Sequence, residues 1–177
     1  HKGDFPFDDT DIYKVLEGAS YVLAVEYDKQ LDHYLGSVIT LVAAAQEPDG
    51  YLFTCRTNNA QHLHRWMGDK RWERINSHEL YNCGHLYEAA TAHFYATGKR
   101  SLLDIAIKNA DLVCTVFGPD EGQIHWPSGH PNAEMGLVKM YRGTGNKKYL
   151  ETAKYFCEEA GRLTDGRHPN PYSQDHK

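Results

Sequence analysis

The chain is poor in cysteine, in long apolar runs and in positive charge, and each shortage removes a class of protein. Its 177 residues hold four cysteines, Cys55, Cys83, Cys114 and Cys157, with no Cys-x-x-Cys pair. A disulfide scaffold and a cysteine-clamped zinc module are therefore both excluded. Free cysteine is among the most buried side chains, so Cys114 and Cys157 read as core residues; the roles of Cys55 and Cys83 stay open. No apolar run approaches the roughly 18 residues of a spanning helix, and no membrane partner is expected. A formal net charge of −5 lacks the basic stripe that a phosphate backbone demands, so nucleic acid is not a partner. Strand-like alternation is scarce. No signal-peptide pattern stands at the start and His1 is not a methionine, so the compartment cannot be read.

What remains is helix. With 41% hydrophobic residues, residues 1–177 are expected to form a single domain, and apolar positions recur with helical period in six segments. Ile12, Val15, Leu16, Ala19 and Val22 make the first stripe, and Leu31, Leu35, Val38, Val42 and Ala45 the second. A third helix opens near Ser77, with Leu86, Ala89, Ala90, His93 and Phe94 on one face. Leu103, Ala106, Ile107, Ala110, Val113 and Phe117 mark the fourth, for which Ser101 and Asp104 have capping-box spacing. Pro131 suits the first turn of a fifth helix carrying Ala133, Leu137, Met140 and Tyr141. The sixth shows Leu150, Ala153, Cys157 and Ala160. The fold class is all-α.

A faint repeat underlies this pattern: Thr97-Gly98, Leu103 and Ala106 recur at one constant spacing as Thr144-Gly145, Leu150 and Ala153. Glycine just past a helix end supplies the left-handed turn that sends the chain back antiparallel. Repeated helical hairpins suit a solenoid or a closed helical toroid. Joints are short at Tyr27-Asp28, Thr97-Gly98-Lys99 and Thr144-Gly145-Asn146, and long from Glu47 to Asn76, from Pro119 to His130 and after Arg162. In an up-and-down array the long connections share one rim, where a binding site is expected.

Three clusters lie on that rim. Gln46-Glu47-Pro48-Asp49-Gly50-Tyr51 combines turn chemistry with an aromatic ring beside amide and carboxylate groups. Such a set suits the apolar faces and hydroxyls of a sugar, or a plain turn with a packed Tyr51. Trp66, Trp72 and Trp126 add aromatic surface in the same loops. Ser77-His78-Glu79-Leu80-Tyr81-Asn82-Cys83-Gly84-His85 opens the third helix; Ser77 is placed to cap it, with His78 and Glu79 in its first turn. His78, Cys83 and His85 lack the i, i+4 ligand spacing of a helical zinc site, and His85 reads as an interior histidine. Trp126-Pro127-Ser128-Gly129-His130-Pro131-Asn132-Ala133-Glu134 opens the fifth helix. His78 and His130 begin neighbouring odd-numbered helices and are expected to converge on one pocket.

These segments, with Asp9-Thr10-Asp11-Ile12-Tyr13-Lys14, Gln46 through Leu52, Ser77 through Tyr81, Gly84-His85-Leu86 and Gly129-His130-Pro131, follow the order and approximate spacing of glycoside hydrolase family 127. The chain resembles that family over nearly its whole length. The resemblance implies an (α/α)6 barrel, of which this chain forms the first part, and action on terminal β-L-arabinofuranosyl or related residues of an arabinose-containing oligosaccharide or glycan. It implies sugar contacts from His78 and His130. On the rim argument Gln46, Asp49, Tyr51, Glu79 and Trp126 join them as substrate-binding candidates. The family's retaining chemistry resembles a zinc-held cysteine thiolate with further Cys and Glu ligands and a Glu acid/base. Those groups belong to later barrel helices beyond Lys177, and none of the four cysteines here matches the nucleophile's position.

No catalytic residue, metal ligand or cofactor is therefore assigned to this chain, and the chain alone is expected to be inactive. A retaining hydrolase needs two catalytic groups about 5 Å apart. Glu79, Glu88 and Glu134 are the only local carboxylates in view, and Glu79 and Glu134 sit in first turns, where the helix dipole favours the ionised form. As part of a ring, the chain is expected to pair with the remaining barrel half or to self-associate, through flanks around Ile12, Val15 and Leu16 at one end and Leu150, Ala153 and Phe156 at the other. A helical carbohydrate-binding or scaffold module and a sugar epimerase-like enzyme are the alternatives from other classes.

Overall fold

A computed structural model describes residues 5–58 and 66–162. The elements run α1 (Asp9–Val25), α2 (Lys29–Ala45), the single turn α3 (Thr54–Thr57), a 3-10 turn (Ile75–Ser77), α4 (Glu79–Thr97), α5 (Ser101–Val116), α6 (Asn132–Thr144) and α7 (Lys147–Arg162). All six predicted helices are present, and no strand occurs among the described residues; Phe117 and Ile124 form one isolated bridge.

The long helices form three hairpins, α1–α2, α4–α5 and α6–α7, arranged in two layers. One layer is α1, α4 and α6, with α4 packed against both neighbours; α5 packs against α2 and α7 in the other. The central place of α4 explains its composition. Its small residues Gly84, Ala89, Ala90 and Ala92 are buried along with Leu86 and Tyr87, because three neighbouring helices leave it almost no solvent face. Closest approach falls where α4 meets the start of α6. A Cβ on Gly84 would lie 2.6 Å from the Asn132 carbonyl oxygen, and one on Gly136 would lie 2.7 Å from that of Gly84. Asn132 Nδ2 donates to the Tyr81 carbonyl at 2.8 Å across the same seam.

The repeat corresponds to one turn used twice. Gly98 (φ 70°) and Gly145 (φ 76°) close α4 and α6 in the left-handed region. Just before each, Thr97 Oγ1 donates to His93 O and Thr144 Oγ1 to Met140 O, both at 2.7 Å. Each hydroxyl then accepts the next free amide, Lys99 N or Asn146 N, at 3.2 Å. At the third tight joint Asp28 caps α2 through Gln30 N (2.7 Å) and Leu31 N (3.1 Å).

Several expectations are corrected. On α1 the buried face is Thr10, Tyr13, Leu16, Ser20 and Leu23, whereas Ile12, Val15 and Val22 are 45%, 63% and 56% exposed. The apolar stripe had the right period and the wrong direction, because polar Thr10 and Ser20 bury by donating to the Phe7 and Leu16 carbonyls. On α7, Tyr149, Thr152, Ala153, Tyr155 and Phe156 are buried, while Leu150 and Cys157 are exposed. Cys157 is thus no core residue, and of the proposed flanks Leu16, Ala153 and Phe156 are already covered. Ser101 does not cap α5: Arg100 precedes the helix, no side chain caps it, and Asp104 pairs with Arg100 at 2.7 Å.

Candidate functional site

The long connections that precede α4 and α6 meet where those helices begin; the one expected after Arg162 lies outside the described residues. His78 is not in the first turn of α4 but is the residue before it, in left-handed conformation (φ 64°) after the 3-10 turn. This is uncommon for a side chain with a Cβ. It swings the imidazole away from the helix axis toward the start of α6. There Gly129, also left-handed (φ 81°) and pressed on Ile75, turns the chain so that His130 stands just ahead of Pro131.

The two imidazoles meet, with ring centres 5.1 Å apart. Tyr81 lies 4.8 Å from His130 and 4.8 Å from His85, edge-on to the latter. Trp66 stands 5.6 Å from His78, and Phe7 5.3 Å from it on another side. His78, Tyr81, His85 and His130 are half-buried. Lys14 Nζ approaches the Tyr81 hydroxyl at 3.5 Å and donates to Thr10 Oγ1 at 3.1 Å.

Protonation follows from these neighbours. His78 Nδ1 is 2.7 Å from the Asn76 carbonyl; a carbonyl only accepts, so Nδ1 carries a proton there. Burial, then the adjacent His78 and His85, lower the pKa of His130, which keeps that ring neutral near pH 7. Imidazoles among aromatic rings form a surface with apolar area and a few directed hydrogen-bond groups, as small-molecule sites require.

Deeper along the same layer a charged row crosses three helices. Lys139 Nζ of α6 reaches Glu88 of α4 at 2.7 Å and Glu17 of α1 at 3.4 Å. Glu88 Oε2 lies 3.4 Å from His85 Nδ1. Contact with His85, then with Lys139, lowers the Glu88 pKa, so Glu88 is not a proton donor at neutral pH.

Four of the sequence candidates are placed elsewhere. Tyr51 is fully buried: its hydroxyl donates to Glu79 Oε1 at 2.5 Å, Trp72 stands edge-on at 5.2 Å, and the Arg71 guanidinium covers its ring at 4.0 Å. It is a core residue and not a stacking platform. Glu79 is also buried, and its oxygens accept from Tyr51, Trp72 N and Ser77 Oγ. Gln46 turns its amide inward, donating to Gly50 O at 3.1 Å and Ile105 O at 2.9 Å. Asp49 caps Tyr51 N and, with Glu47, clamps Arg71. Trp126 is half-buried and lines a small cavity with Trp72, Ser77 and Phe117. Trp72 is core. Glu134 departs from the dipole argument: burial raises its pKa despite the hydrogen bond from Ser128 Oγ at 2.7 Å, because desolvation outweighs a partial charge at a helix end.

Tyr81 and Phe7 have no role assigned from the sequence, and His85 is read there as an interior histidine. For Tyr81 and His85 a signal existed: His78, Tyr81 and His85 are spaced three and four apart, which puts them on one helical face. Phe7 and Trp66 reach the site through loops, and local spacing carries no trace of that.

Among the described residues no three His, Cys, Asp or Glu side chains are grouped to hold a metal. Burial pushes the thiols of Cys55 and Cys114 up, and that of Cys83 up to about 12, away from the thiolate a zinc ligand needs. The family's zinc does not fit these residues, and no step is derived through it.

Layered helical hairpins whose long connections meet at one rim define the class of fold as an all-α helical barrel. The Beta-L-arabinofuranosidase, GH127 catalytic domain family matches residues 1–177, and the chain belongs to that family. It is 40% identical over 156 residues to a non-reducing end β-L-arabinofuranosidase of Bifidobacterium longum subsp. longum, covering 88% of this chain and 23% of the relative. A solved GH127 β-arabinofuranosidase structure superposes with a TM-score of 0.92 at 51% identity, covering 100% of this chain and 28% of the other. The GH127 β-L-arabinofuranosidase of Geobacillus stearothermophilus T6 gives 0.82 at 44%, covering 89% and 24%. The chain thus spans about a quarter of the length of these relatives.

Proposed function

We propose that this chain is part of a glycoside hydrolase acting on terminal β-L-arabinofuranosyl or related residues, and that it supplies the sugar-contacting rim while the catalytic groups come from elsewhere in the barrel. The observation that carries this reading is the meeting of His78 and His130, 5.1 Å apart, beside Tyr81 and Trp66. His78 bonds one sugar hydroxyl, His130 bonds a second, and the aromatic rings cover an apolar face of the sugar. The exposed apolar positions Ile12, Val15 and Val22 on α1 suit a further layer of barrel helices or, in the chain alone, a second copy. Three hairpins then form a partial (α/α)6 domain, and the chain by itself has no turnover.

The test is His78→Ala and His130→Ala in the protein that contains this chain, assayed on an aryl β-L-arabinofuranoside. Leaving a sugar hydroxyl unpaired costs about 1–3 kcal/mol, on the order of 5- to 150-fold in kcat/KM, while Tm moves little. Wild-type efficiency in both variants would end this reading.

A further inference from the structure

Glu79 is the most heavily engaged side chain near the rim, yet it faces the core. Its carboxylate is 2% exposed and accepts the Tyr51 hydroxyl at 2.5 Å, the Ser77 hydroxyl at 2.6 Å and the Trp72 amide at 3.0 and 3.1 Å. Arg56 Nε is 4.0 Å away. These partners come from three separate stretches of the long connection between α2 and α4. Two of the contacts sit beside the only non-glycine residues in left-handed conformation among those described, Trp72 (φ 62°) and His78 (φ 64°). Such conformations persist only where the surroundings over-determine them. For Trp72 that constraint is its own amide, aimed at the carboxylate. For His78 it is the bracket formed by Ser77 and Glu79 on either side, with Ser77 Oγ bonded to Glu79 and Nδ1 tied back to Asn76 O.

The same carboxylate fixes the other wall. Arg56, facing Glu79, donates through its terminal nitrogens to the carbonyls of Gly68, Asp69 and Lys70. That holds the stretch that follows Trp66, whose ring stands 5.6 Å from His78.

We infer that Glu79 is a positioning residue: a buried carboxylate that gathers the α2–α4 connection and holds His78 in its left-handed conformation, its ring preset between Trp66 and His130. The inference rests on the sugar-contact reading of His78 but makes its own claim, that Glu79 acts through His78 and touches no sugar. Glutamine in its place keeps the size but turns one acceptor oxygen into a donor group, which cannot receive three donors. Ser77→Ala removes one contact and keeps the charge, as a milder variant that folds where Glu79→Gln does not.

The experiment is a double-mutant cycle in the protein that contains this chain, with kcat/KM on an aryl β-L-arabinofuranoside and the His78 to Trp66 ring contact followed by NMR. Misplacing a preset binding group costs between about tenfold and a hundredfold. Glu79→Gln should show that loss along with a weakened ring contact, and Ser77→Ala a smaller version of both. In a His78→Ala background either change should cost little more, because the group it acts through is gone. A full additional loss in that background overturns the inference, as does lost efficiency with the ring contact intact. Should His78→Ala itself leave activity unchanged, the sugar reading fails; the ring contact, lost or kept in Glu79→Gln, still decides whether Glu79 positions His78.

Discussion

The two ends of the helical array solve the same problem, reversing the chain, in opposite ways. At the tight-turn end the devices that reverse the chain are local. Gly98 and Gly145 take positive φ without a Cβ, threonine hydroxyls tie the last helical turn, and Asp28 caps the start of α2, while one ion pair, Asp32 with Lys99, ties two of the turns together. At the loop end the devices are long-range and strained. Trp72 and His78 hold positive φ despite bulky side chains, a buried carboxylate organises residues up to 28 positions away, and the His130 imidazole is kept neutral. The first end carries stability at low strain. At the second, strain and desolvation are spent on placing a few rings, as functional sites do.

Substitutions that respect or cross this division should separate stability from binding. The largest effect is expected at the seam joining the two regimes: Gly84→Ala puts a methyl 2.6 Å from the Asn132 carbonyl. Overpacking of that kind costs about 1–3 kcal/mol. Urea denaturation should show the loss, and arabinofuranoside binding should fall with it, because α6 carries His130. Next comes Gly98→Ala, where nothing lies near the added Cβ and only the positive φ is penalised. A loss of about 1–2 kcal/mol is expected, with binding unchanged. A binding defect at Gly98 would erase the distinction between the ends.

Smaller still is a pH effect from His93, buried near the tight end with both ring nitrogens lacking hydrogen-bond partners. Burial, then Lys99, lowers its pKa, with Asp32 opposing. The unfolded chain therefore takes up a proton below about pH 6.5 that the native state resists, and stability falls as pH drops through that value. Thermal melts from pH 7 to 5 should show this slope, and His93→Leu should flatten it. An unchanged slope would assign the acid sensitivity to the rim histidines, His130 included.

Helix content and the tight turns were legible in the sequence because both are local: period, Thr-Gly pairs and Asp28 carry their own physics. The convergence of His78 and His130 was also legible, since alternate long helices of an up-and-down array, here α4 and α6, start on one rim. Burial direction was not. Period fixes how often a face recurs and not which face finds a partner, so the pattern points to Ile12 and Val15 as core in place of Tyr13, and to Cys157 as a buried thiol. Polar side chains misled most. Tyr51 and Glu79 look like ligand contacts until the structure shows them bonded to each other across the long connection. Trp66 and Phe7 reach the site only by tertiary folding.

One titration compares the two ends within a single sample. Methyl β-L-arabinofuranoside added to the protein that contains this chain, with histidine ring signals read by NMR, should shift His78 and His130 in a saturable way and leave His93 still. Saturation that moves neither rim histidine, or that moves His93 instead, would contradict the assignment of sugar binding to the long-loop end.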